Sequence, residues 1–109
     1  MADLLQISEV RTVAADALWM SPCFERDSAA IHFTWKKVWP GVQKLLPRIE
    51  AQLEPFEVRP HWGKRFTMPP ALVQSRYRKL PEFRELVREF DAEGKFRNEF
   101  LDTYVFGEA

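Results

Sequence analysis

The chain is poor in several things that would have named a chemistry outright. One cysteine, Cys23, among 109 residues excludes an internal disulfide and a thiolate-built zinc site, and it suits a reducing compartment, so a cytoplasmic protein is the expectation. Sixteen basic and sixteen acidic side chains cancel. Because they are interleaved, no strong field of one sign is available for nucleic acid or an anionic membrane. No apolar run approaches the roughly 20 residues that span a bilayer, and the N-terminus lacks the basic flank and apolar stretch of a signal peptide. Only two histidines are present, His32 and His61, and with Cys23 and Glu9 they lie at no recurrent ligand spacing, so no metal site is expected. Phosphate loop, dinucleotide fingerprint and nucleophile elbow are all missing.

What is plentiful is aromatic surface. Aromatics make up 14% of the residues, four of them tryptophan, which implies either a dense core or surface that awaits a cover. The length allows one domain, or part of one, with a real core but without room for an enclosed large cofactor.

The β-branched stretch Ile7 to Val13 suits a strand, and a period of two puts Glu9 and Arg11 on one face. Ala14 to Met20 is expected to make a short helical turn, followed by a loop from Ser21. From Ala29 to Lys37 the alternation assigns Ile31, Phe33 and Trp35 to the core and His32 and Thr34 to a polar face. Pro40 opens a helix carrying Val42, Leu45, Leu46, Ile49 and Leu53, which Pro47 is expected to kink or restart. Phe56 to Arg59 reads as a third strand that delivers the histidine-tryptophan segment. Helices follow over Pro70–Tyr77, over Pro81–Phe90 with Phe83, Leu86, Val87 and Phe90 on a stripe, and from the cap Asn98 to about Tyr104. The fold class is therefore α+β: a small antiparallel or mixed sheet of about three strands packed by one long helix, with a helical C-terminal tail.

Arg59-Pro60-His61-Trp62-Gly63-Lys64 is the stretch whose residue types ask for a site more than for a core. Gly63 lets the backbone bend or approach a ligand closely; a lysine stem lying along a half-buried tryptophan is the plainer reading. Glu9 and Arg11 read either as a solvated pair or, under a cover, as charges that need further polar partners, for which substrate hydroxyls are natural. Thr34 is also simply a good strand former.

Taken together, Ser8-Glu9-Val10-Arg11-Thr12, Ile31-His32-Phe33-Thr34-Trp35 and Arg59 to Thr67 resemble the C-terminal region of the aldonolactone and alditol oxidases, flavoproteins of the vanillyl-alcohol oxidase type. The ending from Leu80 through Asp102 resembles the family's ending. Glycine before Lys64, with Phe66-Thr67-Met68 after it, looks more like the alditol branch, since the lactone oxidases tend to carry alanine there.

The resemblance implies that residues 1–109 are the C-terminal part of a substrate-binding cap, with 92–109 a tail that returns toward a flavin domain lying N-terminal to everything seen here. It implies that Glu9, Arg11, Thr34 and Lys64 bind substrate, that Lys64 and Arg11 are the catalytic cations, and that His32, His61 and Trp62 shape the pocket. It implies FAD in the intact protein, none held by this chain alone, and no residue here assigned to it. The reaction implied is oxidation of a polyol or aldonolactone by hydride transfer to flavin, with oxygen as acceptor. The partners are then the small-molecule substrate and a flavin domain in cis or in trans. The alternative is a binding or assembly module, or a truncated piece, inactive without a flavin domain.

Overall fold

A computed structural model describes residues 1–107. Strand β1 (Leu5–Val13) and strand β2 (Ser28–Trp35) form an antiparallel ribbon, followed by helix α1 (Trp39–Leu53) and a 3-10 turn (Glu54–Phe56). Helices α2 (Pro70–Ser75), α3 (Leu80–Phe90) and α4 (Glu99–Leu101) follow, the last running into a π turn over Asp102–Phe106. The class is α+β, as the residue pattern requires, but the sheet has two strands where about three were expected.

The missing strand is Phe56–Arg59. Glu54–Phe56 closes as a 3-10 turn and Glu57 takes a left-handed backbone with φ 52°, so the chain turns just where it would have to run straight. Residues Val58–Pro60 are left without a ladder partner. The expected turn of helix over Ala14–Met20 is also absent; this stretch makes one bridge, Asp16 to Phe24, and a bend closed by Ser21 N–H on the Leu18 carbonyl. Pro47 lies inside α1 without dividing it. Pro47 and Gln43 both face solvent, so the carbonyl that proline leaves unbonded can be hydrated.

The largest buried cluster belongs to the second half of the chain, with Phe24, Val42 and Leu46 buried outside it. Met68, Val73, Tyr77, Leu80 and Val105 are buried together, with Trp62, Phe66, Phe83 and Tyr104 packed against them. Aromatic rings dominate: Trp62 lies 4.9 Å from Tyr77, and Phe66 and Phe100 lie 5.0 and 4.9 Å from Tyr104 between ring centroids. Asn98 caps α4 by accepting from Leu101 N–H at 2.9 Å, which starts the turn that brings Val105 back to this core. Of the 92–109 tail, the residues through Gly107 lie on this chain's own body, with Arg84 donating to the Val105 carbonyl; residues 108–109 lie outside those described.

The ribbon is built differently. Ile31, expected in the core, is 44% exposed, and Val10 on the same face is 72% exposed. Phe33 and Trp35 are half-buried and stack on each other at 5.2 Å. On α3 the stripe is also partly open, Phe90 being exposed. Thus the aromatic and aliphatic richness goes both ways, into a dense core and onto open surface. Helix α1 meets the ribbon at its base, where the Leu4 side chain lies against Gly41, rather than packing along a sheet face. Among the described residues no helix is long and apolar enough to cross a membrane.

Candidate functional site

Antiparallel register sets Glu9 opposite His32, Arg11 opposite Ala30, and Ile7 opposite Thr34. Directly opposed residues share a face, so Glu9, Arg11, His32 and Thr34 stand on one side of the ribbon. Arg11 donates from Nε and Nη2 to Glu9 Oε2 at 3.1 and 2.6 Å. The pair is open to water, the arginine side chain 71% exposed.

The facing wall is the segment after the 3-10 turn. A tight turn forms at His61–Lys64: Lys64 N–H donates to the His61 carbonyl at 3.1 Å, and Gly63 N–H donates to His61 Nδ1 at 3.0 Å. That bond makes Nδ1 an acceptor, so a neutral His61 carries its proton on Nε2. A Cβ added at Gly63 would meet only the His61 ring, at 3.4 Å, so the chain's own packing does not demand glycine there. Trp62 turns inward; its Nε1 donates to the Met20 carbonyl at 2.8 Å and its ring joins the aromatic core.

Between ribbon, α1 and this segment lies an open cleft of about 1560 Å³. Glu9, Arg11, His32, Thr34, His61, Trp62 and Lys64, every site residue expected from the sequence, line it. Phe33 and Trp35, from the ribbon's other face, and Trp39 border it as well. Among the described residues no cluster of three or more histidine, cysteine, aspartate or glutamate side chains could hold a metal ion.

Three supports of this geometry escaped the sequence reading. Glu50 on α1 accepts from Thr67 N–H at 2.6 Å and from its hydroxyl at 2.8 Å, clamping the end of the Lys64 segment to the helix. Arg65 lies over the Trp39 ring at 4.1 Å. Arg59 donates to three backbone carbonyls, those of Arg76, Pro22 and Phe24. Burial first, and Arg26 nearby second, lower its pKa from the ordinary arginine value. A polar residue after an apolar helical stripe could have drawn attention to Glu50; nothing local marks Arg59's acceptors.

The sequence pattern of D-arabinono-1,4-lactone oxidase matches residues 8–104. The chain is similar to an alditol oxidase of Streptomyces sp. (strain IKD472 / FERM P-14339), 48% identical over 107 residues that make up 98% of this chain and 26% of that protein. It is also similar to L-gulonolactone oxidases of Mus musculus and Scyliorhinus torazame, 28% and 29% identical over 90% of this chain and 23% of each relative. The chain thus spans about a quarter of the length of these curated relatives. With the pattern matched over nearly its whole length, and the segments that carry the match forming the two walls of one cleft, this chain belongs to the D-arabinono-1,4-lactone oxidase family.

Proposed function

We propose that this chain is the substrate-binding part of an FAD-dependent oxidase that oxidises a polyol at a carbinol carbon, with oxygen as the final acceptor. The observation that carries the reading is the Glu9–Arg11 pair on an open strand face, in one cleft with Thr34, His32 and Lys64. A sugar alcohol presents hydroxyls in series, each both donor and acceptor. A carboxylate, a guanidinium, an ammonium and a threonine hydroxyl match such a ligand group by group. The 48% identity to an alditol oxidase supports the same reading.

The cleft suits a planar cofactor as a lid more than as a guest. At about 1560 Å³ it exceeds the roughly 300–1,000 Å³ of ordinary ligand pockets, it is open to solvent, and Trp39 on α1 lines it together with the polar groups. FAD, carried by a flavin-binding domain in cis or in trans, supplies the acceptor for the hydride. Everything else asked of this chain is binding and charge. Glu9 accepts hydrogen bonds from the polyol and fixes its register. As hydride leaves the carbinol carbon its hydroxyl proton passes to a base, for which the Glu9 carboxylate is at hand in the cleft, and Lys64 and Arg11 stabilise the negative charge that builds on the oxygen. Under a cover that excludes water, such stabilisation is worth about 3–4 kcal/mol for each donor. Trp62 and the His61 turn hold Lys64 where this charge forms, and His32 borders Glu9 across the ribbon.

The family pattern and the gulonolactone oxidase relatives favour an aldonolactone as the second reading. The test is peroxide release by this region joined to its flavin domain, with sugar alcohols and aldonolactones compared at equal concentration. Faster turnover of a sugar alcohol supports the proposal, preference for a lactone selects the second reading, and no peroxide from either class contradicts both.

A further inference from the structure

The two walls of the cleft have little direct contact. The ribbon is tied at its base, where Leu4 meets Gly41 and Lys36 N–H donates to the Leu4 carbonyl at 2.8 Å. Its middle has Val10 and Ile31 open on one face and Arg11 on the other. What fixes the far end is the connection between β1 and β2, held through its backbone carbonyls and also by the buried Phe24 and an exposed Arg78–Glu25 ion pair.

Arg59 Nη1 donates to the carbonyls of Pro22 and Phe24, each at 3.1 Å, while its Nε donates to the Arg76 carbonyl at 3.0 Å beyond α2. The same guanidinium lies 5.5 Å from the centre of the Tyr77 ring. Three residues further on, Trp62 Nε1 donates to the Met20 carbonyl, and Arg26 returns the tie from the loop to the Glu57 carbonyl at 3.1 Å. Arg59 therefore joins three parts of the chain at once: the ribbon's far loop, the start of the Lys64 segment and the end of α2.

We propose that Arg59, assisted by Trp62, is a positioning residue that sets the separation between the Glu9–Arg11 wall and the Lys64 wall. The role rests on reading the cleft as the substrate site, but the tie itself does not. Only a planar fork serves several carbonyls from fixed directions; a lysine keeps the charge and loses the fork. A ribbon freed at one end keeps its own ladder and its base contact, so the expected fault is a swing of one wall, not loss of fold.

Residual dipolar couplings of the isotope-labelled 109-residue chain read this directly, because they report the orientation of each element. In the wild-type chain one alignment tensor fits β1, β2, α1 and α3. In Arg59→Lys the ribbon couplings fall at least about twofold while those of α1 and α3 hold, as expected for a segment released into local motion. Trp62→Phe, which keeps an aromatic ring in the core but drops the bond to Met20 together with part of the indole packing, gives the same pattern at smaller amplitude; it decides alone if Arg59→Lys lacks native chemical-shift dispersion. Couplings unchanged in the deciding variant, or reduced equally in ribbon and helices, overturn the proposal. So does a wild-type ribbon that already needs its own tensor. No substrate is present in this measurement, so a failed polyol assignment and a failed tie are distinguished.

Discussion

Arg11 reaches Glu9 with two nitrogens on a single carboxylate oxygen, Nη2 at 2.6 Å and Nε at 3.1 Å, between neighbours two apart on one strand face. An ion pair this open contributes little to folding, about 0–1 kcal/mol, since water screens it and both side chains lose freedom in forming it. Its worth has to be sought in what it offers a ligand. Arg11→Ala is therefore expected to leave the midpoint of chemical denaturation of this chain nearly unchanged while lowering kcat/KM of the flavin-bearing protein by about a hundredfold. A large loss of stability with proportionate loss of activity would make the pair structural.

Gly63 gives a second separation of fold from function. Its position tolerates a Cβ, which would meet only the His61 ring at 3.4 Å, so Gly63→Ala should shift stability by no more than about 0.5 kcal/mol. In the flavin-bearing protein the added methyl stands at the cleft beside Lys64, and KM for the sugar alcohol is expected to rise. Unchanged KM would show that nothing approaches the glycine.

Tyr77 contributes to the alkaline behaviour of the fold. Burial pushes its hydroxyl up to about 12, against an ordinary value of 10.0, with Arg59 pulling the other way. The folded state thus holds this proton more tightly than the unfolded chain does. The stabilisation is complete below pH 10.0 and is lost as the pH rises toward about 12, because only the unfolded chain ionises freely in that window. Among the described residues the hydroxyl has no hydrogen-bond partner, so Tyr77→Phe should cost less than about 1 kcal/mol at neutral pH. It should also flatten the fall of Tm across the same window. An equally steep fall in the variant would assign the alkaline loss to other groups.

How much of this was legible in the residues follows from the range of the interactions. The Glu9–Arg11 face is legible because strand periodicity is local; of the His61–Lys64 turn only the freedom to bend at Gly63 is legible. Asn98 is legible as a cap because capping too is local. The third strand failed because a strand exists only with a partner, and Phe56–Arg59 turns at Glu57 before it can find one. Ile31 was misplaced because alternation tells which side chains share a face, not whether anything covers that face. Arg59's role was invisible for a different reason: its acceptors at Pro22, Phe24 and Arg76 are main-chain carbonyls, which every residue possesses, so no side-chain pattern announces them.

The central claim is that Lys64 and the Glu9–Arg11 pair form one polyol site. Steady-state peroxide release from a sugar alcohol, measured on the flavin-bearing protein and on its Lys64→Ala variant at matched flavin content, tests it most directly. Lys64→Ala is expected to lower kcat by about a hundredfold to a thousandfold, the size expected when one donor to a developing oxyanion is removed. Turnover equal to wild type would contradict it.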